Sequence, residues 1–290
     1  MKKTAVIFSY NDGDLLLSPL KSVLESDIDQ VFLLYGGDNV PPEIEKIEDM
    51  RLIKVLEKER KGKVSALTSI VPNIGGDIVF LLSGDITFDP LLIKKCEDSF
   101  EGTAGVVTVR VVPSNSSHYT EKVASLMWEM HDLQLSYLSG SGKNVHGGEF
   151  ICARKELLFD IPEVVNEDAY ICIKASKAGL SVVYLGDEGV RNVVPSNPMD
   201  LFQQRRRVNF GHIEIRKIGW DPMIMDTLMF SDTSLFLRIF IKFLKERKWN
   251  LLTLSGAIWI EIVSNISARM DLMLGKDHKR WTMVRRSNHS

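Results

Sequence analysis

The chain has 290 residues, an apolar share of 44% and a net charge of −2. These values predict one large domain, with or without an appendage, and argue against nucleic acid as a partner. The charge is uneven, because residues 231–290 contain 11 Lys and Arg against 5 Asp and Glu. A basic C-terminal region on an acidic body predicts contact with an anionic surface, and a solvated basic tail is the alternative.

The cysteines and the N-terminus indicate a reducing compartment. Cys96, Cys152 and Cys172 are an odd number and form no CxxC pair, so we expect buried free thiols rather than disulfides or a zinc site. The apolar run over residues 4–9 is too short for the core of a signal peptide. The bulk of the chain is therefore expected on the cytoplasmic side.

Short apolar segments alternate with segments of helical spacing in the first third of the chain. The pattern predicts strands over residues 5–9, 31–35, 52–56 and 78–82, and helices over residues 15–24 and 64–71. This alternation is typical of an α/β fold with a mostly parallel sheet covered by helices on both faces. Ligands of such sheets bind beyond the carboxyl ends of the strands.

The second half is less regular. We predict strands over residues 106–112, 150–153 and 181–185, and helices over residues 121–138, 169–178 and 199–218. After Pro222 the composition changes, and residues 235–244 suit an interfacial amphipathic helix with Arg238 and Lys242 on one face. Residues 251–260 are nearly all apolar. They suit a short membrane span or a buried core helix, since no run reaches the roughly 18 uncharged residues of a clear span.

Two motifs are suited to phosphate and metal chemistry. Asp85 follows an apolar strand within Ser83-Gly84-Asp85, where a carboxylate can hold a divalent metal against phosphates. Arg60 and Lys63 precede a helix, and cations there can bind phosphate together with backbone N–H groups. Alone, the first motif is also common turn chemistry, and the second is also a solvated charge run.

Two further motifs lie on predicted helices. Glu167 and Asp168 are at a helix start, where a carboxylate is either a capping group or a general base. Gln204 and Arg207 are three residues apart and therefore share a helix face. An arginine there, Arg207 or its neighbour Arg206, can bind a diphosphate through two parallel hydrogen bonds. The alternative is a basic helix face that touches lipid or solvent.

In this order the four motifs resemble those of the family 2 glycosyltransferases, in particular the branch of the cellulose and hyaluronan synthases. The resemblance covers about residues 4–220 and implies the GT-A fold, which is Rossmann-like with a mixed, mostly parallel sheet flanked by helices. It implies contacts to the nucleotide of the donor from the first strand end and from an acidic residue further on. The residues in question are Ser9, Tyr10, Asn11 and Asp12, with Asp38 and Glu57 as candidates for the acidic residue.

The family's Arg-x-Gly-Lys-x-x-Ala-Leu-Asn segment is matched from Arg60 to Leu67, with Thr68 in place of Asn. Its Asp-x-Asp metal motif is matched only at Asp85, because Ser83 replaces the first carboxylate. The resemblance implies donor binding by Arg60, Lys63, Ser83 and Gly84, and a divalent metal, Mn²⁺ or Mg²⁺, at Asp85.

The acceptor segment of the family resembles the four residues His146, Gly147, Gly148 and Glu149. The catalytic Glu-Asp pair is matched by Glu167 and Asp168, which implies that Asp168 is the base. The Gln-x-x-Arg-Trp motif is matched by Gln204 and Arg207, with Val208 in place of Trp. That replacement favours transfer of a single sugar over processive polymerisation.

The resemblance implies an inverting hexosyltransferase that uses a GDP- or UDP-sugar, with mannose favoured by analogy. A lipid-linked acceptor, such as a polyprenyl or dolichyl phosphate glycan, is expected at the cell membrane. We expect a GT-A catalytic domain over residues 1–222, on the cytoplasmic side, and membrane-associated helices over residues 223–290.

A sugar-phosphate nucleotidyltransferase is disfavoured because a Gly-rich first turn is missing. A non-catalytic membrane scaffold is the second alternative, and Ser83 favours it.

Overall fold

An eight-stranded sheet forms the centre of the computed structural model, which describes residues 1–140, 145–246 and 250–279. The strands are β1 (Lys3–Tyr10), β2 (Gln30–Gly36), β3 (Leu52–Glu57), β4 (Ile78–Ser83), β5 (Ile86–Thr87), β6 (Ala104–Pro113), β7 (Phe150–Arg154) and β8 (Ser181–Asn192). Their order across the sheet is β3-β2-β1-β4-β7-β6-β8-β5.

The sheet is mostly parallel, as the sequence predicts. β3, β2, β1 and β4 are parallel to one another, and β6 is parallel to β8. β7 runs antiparallel to both β4 and β6, and β5 runs antiparallel to β8. The carboxyl ends of β1, β2, β3 and β4 therefore meet at one edge, where the polar motifs follow the strands.

The helices cover both faces of the sheet and build a C-terminal layer. They are α1 (Leu17–Leu24), α2 (Pro42–Lys46), α3 (Lys63–Ile70), α4 (Leu91–Asp98), α5 (Tyr119–Gly140), α6 (Glu167–Lys177), α7 (Pro198–Lys217), α8 (Met225–Ser231), α9 (Thr233–Glu246) and α10 (Leu251–Met273). The sequence interpretation omitted α2, α4, α8 and β5, which are short or lack a long apolar pattern.

The core has one layer on each side of the sheet because side chains alternate along each strand. On β1, Ala5 and Ile7 pack with α1 and α4, whereas Val6 packs with α3 and α6. The predicted free thiols are confirmed, since all three cysteines are buried and unbridged.

The apolar run over residues 251–260 is the first part of a longer helix, because α10 extends from Leu251 to Met273. Glu261, which is 41% exposed, forms an ion pair with Arg205 of α7, with N–O distances of 2.9 and 3.1 Å. Within the described residues, α10 is also the one helix whose length and composition would allow it to cross a membrane.

The α7–α10 contact contains a buried carboxylate, Asp271, which is 1% exposed. It accepts hydrogen bonds from Arg206, Lys276 and His278. Burial acts to raise the pKa of Asp271, but the bonds from these three side chains, Arg206 first, hold it well below its usual range. The stability that this carboxylate contributes is therefore present above about pH 4 and is lost as the pH falls further.

We expect Asp271→Asn to lower the free energy of unfolding by about 1–3 kcal/mol, because Arg206 loses its charged partner. Urea denaturation at pH 7 measures the change. The control is Asp98→Asn, which removes an exposed ion pair to Lys94 and should change stability by less than about 1 kcal/mol. Equal effects of the two substitutions would contradict a structural role for Asp271.

Candidate functional site

The end of β1 is held to the end of β2 by the turn that follows it. Asn11 has a positive φ of 63°, its N–H donates to the Gly36 carbonyl at 3.1 Å, and its side-chain oxygen accepts from the Asn39 N–H at 3.0 Å. Asp12 turns back and accepts from the Tyr10 N–H at 3.2 Å. The predicted nucleotide-contacting residues are therefore ordered at one strand end.

The turn after β4 lies directly against this segment. The Gly84 N–H donates to the Phe8 carbonyl at 2.8 Å. A Cβ on Gly84 would lie 2.7 Å from the Asp12 carboxylate and 2.8 Å from the Ser9 Cβ, so only glycine permits this approach. Asp85, the next residue, is thereby placed at the same edge of the sheet.

Arg60 and Glu57 bring the end of β3 to the same edge. The Arg60 guanidinium lies 4.3 Å from the centre of the Tyr10 ring. Burial raises the pKa of Glu57, and the charge of Arg60 opposes that rise. Glu57 also pairs with Gly36 across the two strands, whereas Asp38 is exposed in the loop after β2. Of the two predicted acidic residues, Glu57 is the one beside the Arg60–Tyr10 contact.

Lys63 joins this edge to α6. Gly62, with a φ of 106°, provides the backbone conformation from which α3 begins. The Lys63 Nζ lies 2.6 Å from the Glu167 carboxylate and 4.9 Å from the centre of the Phe8 ring. Burial acts to lower the pKa of Lys63, but the charges of Glu167 and Asp168 outweigh it and raise the pKa. Lys63 is therefore a cation held between two elements of the site.

Asp168 has the chemistry of a base. Burial and the charge of Glu167 raise the pKa of Asp168 to about 7, while Lys63 and the Ala169 N–H oppose the rise. Glu149 adds a smaller upward contribution. A carboxyl group with a pKa near neutrality can accept a proton and release it again at physiological pH.

The loop before α6 is fixed by α7. The Val165 N–H donates to the Glu214 carboxylate at 3.0 Å, and the Asn166 side chain donates to the Val208 carbonyl at 2.9 Å. Arg207 donates to the Val165 carbonyl at 3.4 Å. Because these bonds hold the residues directly before Glu167, α7 determines where the two acidic side chains lie.

The arginines of α7 have different partners. Burial lowers the pKa of Arg207, and the nearby charges of Glu167, Asp168 and Glu149 oppose the change, which locates Arg207 at the acidic cluster. Arg206 was predicted to bind the donor as well, but its guanidinium is bound by Asp271 of α10. Gln204 is partly buried on the same helix.

Glu149 and Ser83 are neighbours although 66 residues separate them in the sequence. The Ser83 hydroxyl donates to the Glu149 carboxylate at 2.5 Å, and the Ser83 N–H donates to the Glu149 carbonyl at 3.0 Å. The residue that replaces the first carboxylate of the metal motif is thus bonded to another carboxylate. Glu149, predicted as an acceptor residue, adjoins the metal motif.

The rest of the predicted acceptor segment is packed tightly. A Cβ on Gly147 would lie 2.2 Å from the Ile151 side chain, and one on Gly148 would lie 3.3 Å from the Trp128 ring. His146 stacks edge-on between His131 and His212, with ring centres 5.2 and 5.5 Å away. Burial lowers the pKa of all three histidines, so they are neutral at pH 7.

The described part of the chain contains no cluster of three or more His, Cys, Asp or Glu side chains arranged around a metal position. Asp85 and the hydroxyl of Ser83 are hard oxygen donors, and Mg²⁺ is commonly bound by one or two carboxylates plus phosphate oxygens. This donor set fits a divalent cation that arrives with a diphosphate.

Sequence reasoning missed four residues of this region: Phe8, His131, His212 and Glu214. Phe8 belongs to an apolar strand, so nothing in the sequence distinguished its partly buried ring from the core residues. The other three are single polar residues on helices, and their spacing in the sequence does not show which partner they face.

The chain matches the family described as Glycosyltransferase like family 2 over residues 3–211. Among solved structures it is similar to a mannosyltransferase from Pyrobaculum calidifontis in complex with GDP-Man and Mn²⁺, with a TM-score of 0.66 and 17% identity over 95% of this chain and 88% of that one. No curated protein matches the chain.

Two further solved structures share the fold. TarS 1–349 from S. aureus has a TM-score of 0.50 and 16% identity, covering 96% of this chain and 93% of that one. Glucosyl-3-phosphoglycerate synthase from Mycobacterium tuberculosis, in complex with Mg²⁺ and UDP, has a TM-score of 0.51 and 18% identity over 76% and 80% of the two chains. The expected GT-A-like architecture, a mostly parallel sheet flanked by helices, is confirmed.

The charges around Asp168 predict opposite shifts in two variants. In a ¹³C NMR titration, its carboxyl signal should change near pH 7 in the unmodified protein. Glu149→Gln removes a negative charge and should lower this pKa, whereas Lys63→Gln removes a positive charge and should raise it. Shifts of the same sign in both variants would contradict the described arrangement. Asp98→Asn, far from these charges in an exposed pair, is the control.

Proposed function

Because the chain belongs to the glycosyltransferase-like family 2, we propose that it transfers one hexose from a nucleoside diphosphate sugar to an acceptor hydroxyl, with inversion at the anomeric carbon. The observation that carries this proposal is the partly buried Asp168 at the start of α6, whose pKa is raised to about 7, beside the cations Lys63 and Arg207.

Asp168 is the general base of this proposal. Its carboxylate takes the proton of the acceptor hydroxyl while the oxygen attacks the anomeric carbon from the side opposite the departing diphosphate. Glu167 holds Lys63 through the 2.6 Å contact, and the positive charge of Lys63 opposes the rise in the pKa of Asp168 that burial and Glu167 cause. Kcat/KM is then expected to rise with pH through about 7, as Asp168 loses its proton.

Three cations supply the electrostatic side of the reaction. The start of α3 provides Lys63, and the segment before α3 provides Arg60. Helix α7 provides Arg207. Cations aimed at the oxygens of a leaving diphosphate stabilise the charge that develops there. Arg60 lies over Tyr10 at the end of β1, which supports a role at the nucleotide side of the donor.

Asp85 would hold a divalent metal, Mn²⁺ or Mg²⁺, with Ser83 beside it. When bound, such a cation neutralises charge on the departing diphosphate. The solved neighbours in complex with Mn²⁺ or Mg²⁺ support this assignment. Asp85 lies close to β1 because Gly84, which has no side chain, lets the turn approach that strand.

For the donor we propose a GDP- or UDP-hexose, with GDP-mannose the first candidate. The Pyrobaculum mannosyltransferase, which spans most of this chain, is in complex with GDP-Man, and the mycobacterial synthase is in complex with UDP. Of the donor residues predicted from the sequence, Glu57 is better placed than Asp38, and Arg207 better than Arg206.

For the acceptor we propose a lipid-linked glycan, of the polyprenyl or dolichyl phosphate type, used on the cytoplasmic side of the cell membrane. The basic, amphipathic helix α9 and the apolar helix α10 support it. Membership of the cellulose and hyaluronan synthase branch stays a prediction, and Val208 in the place of Trp supports transfer of one sugar only.

A non-catalytic scaffold that retains the fold is the second candidate. Ser83 favours it, since this residue stands where the family has a carboxylate. A scaffold binds a donor without turning it over, so binding and transfer must be measured separately.

Asp168→Asn should reduce transfer by roughly 10²- to 10⁴-fold, because the proton acceptor is lost while the shape of the site is kept. Donor affinity, measured by calorimetry, should change by less than about threefold, since Asp168 is assigned to the acceptor side. Asp98→Asn is the matched control. Unchanged turnover in Asp168→Asn would refute the base assignment, and an unmodified protein that binds donor without transfer would establish the scaffold.

Asp85→Ala should abolish the metal dependence of nucleotide binding. In a thermal-shift screen with GDP and UDP, a ligand at 100-fold its dissociation constant stabilises the fold by about 2.7 kcal/mol. We expect the shift to need Mn²⁺ or Mg²⁺ in the unmodified protein, and the metal to add nothing in the variant. Retained metal dependence in Asp85→Ala would remove Asp85 as a ligand.

A further inference from the structure

Helix α10 has two different faces. Ala257, Ser264, Ala268 and Asp271 recur at helical spacing and are buried against the body of the protein. The opposite face, which we call the apolar face of α10, consists of large exposed side chains at intervals of three or four residues: Trp259, Ile262, Ile266, Met270 and Met273. An apolar face of this size on a surface helix marks an interaction site.

The buried face of α10 is bound to the body along the helix. Near its start, the Tyr119 hydroxyl of α5 donates to the Leu252 carbonyl at 2.6 Å. In the middle, the Asn209 side chain of α7 donates to the Ser264 hydroxyl at 3.0 Å. Toward its end, Asp271 binds Arg206. At 1.5 Å per residue the 23-residue helix is about 34 Å long, and these contacts extend over most of it.

These contacts are incompatible with a transmembrane orientation of α10. Crossing a bilayer would carry Arg205, Arg206 and their carboxylate partners on α10 into hydrocarbon, or break both ion pairs. A charged side chain at the bilayer centre is costly, and exposed polar backbone of neighbouring loops is not tolerated there. Helix α10 can therefore meet lipid only side-on, with its apolar face toward the bilayer.

Helix α9 lies next to the start of α10, because Phe243 of α9 packs in the same core cluster as Ala257 of α10. Its inner residues Leu235, Ile239 and Phe243 are buried. On the other side Leu237 and Ile241, which are 47% and 46% exposed, adjoin a basic face. The basic face of α9 consists of Arg238, Lys242 and Lys245, which line a shallow groove of about 320 Å³ together with those apolar residues.

We propose that the basic face of α9 and the apolar face of α10 form one docking surface for anionic phospholipid, and that α10 lies along the bilayer surface instead of crossing it. Helices of this kind bind by burying apolar residues at the level of the headgroups, with Lys and Arg contacting anionic lipid. Charge complementarity favours lipid over a second copy of the chain, because a symmetric contact would bring two basic faces together.

The inference concerns attachment and orientation, and it holds whether or not the protein transfers a sugar. Two properties separate it from a transmembrane anchor: dependence on anionic lipid, and equal depth of the two ends and the middle of α10. Each can be measured on the full chain.

The first measurement is co-sedimentation with vesicles of phosphatidylcholine, with and without phosphatidylglycerol. The full chain should bind the anionic vesicles, and binding should weaken with salt. The triple variant Arg238→Gln, Lys242→Gln, Lys245→Gln should bind roughly 100-fold more weakly, since each cation near an anionic surface contributes to attachment. The matched control is Lys21→Gln, Lys94→Gln, Lys95→Gln, three exposed lysines of α1 and α4. Equal binding to neutral vesicles, or equal loss in both triple variants, would overturn the proposal.

The second measurement places α10 relative to the bilayer. Nitroxide labels at Leu252→Cys, Ile262→Cys and Met273→Cys can be introduced singly, because the three native thiols are buried. We expect the same shallow depth at all three positions, each reached by a membrane-impermeant relaxation agent from the protein's side. A deep label at position 262 with one protected end would show a span and overturn the proposal.

A control separates this result from the proposed function. Asp168→Asn should bind vesicles like the unmodified protein, even though transfer is lost. Failure of vesicle binding with transfer intact would overturn only the docking surface. A dimer that forms in the absence of lipid and protects Trp259 from quenching would assign the surface to a second copy instead.

Discussion

The contact between Lys63 and Glu167 is the interaction on which the site depends. Glu167 is buried and Asp168 is partly buried at the start of α6, and both desolvation and the charge of Glu167 raise the pKa of Asp168. Lys63 at 2.6 Å from Glu167 opposes that rise, and Arg207 adds a second positive charge from α7. Without these cations, Asp168 would be protonated at neutral pH and unable to act as a base.

Helix α7 connects this site to the C-terminal surface. On one side it fixes the loop before α6, through Asn166 and Val165. On the other side it binds α10 through Arg205 and Arg206. The segment after α10 returns to the site, because a Cβ on Gly62 would lie only 3.2 Å from the Lys279 carbonyl. A lipid-bound α10 would therefore hold the candidate site at a constant height above the membrane, where the proposed lipid-linked acceptor would be presented.

The fold was predictable where local pattern decides. Continuous apolar runs identified β1, β2 and β4, and parallel pairing followed from their alternation with helices. The antiparallel direction of β7 was not predictable, since an apolar run does not encode the direction of its neighbours. The full length of α10 was not predictable from its apolar run, which Glu261 interrupts, because the helix continues through residues held by α7, such as Asp271 bound to Arg206.

The sequence by itself determined the chemistry of the site: a carboxylate pair at a helix start, cations before another helix, and an acidic turn after a strand. These are local features, set by residue type and spacing. The tertiary structure decided which members meet. In the folded chain, Arg207 lies near Glu167 and Asp168, whereas Arg206 binds Asp271. Ser83 is hydrogen-bonded to Glu149, which is 66 residues away in the sequence. Such choices depend on the order of strands and on the rotation of packed helices, because side-chain partners distant in sequence are set by packing rather than by local periodicity.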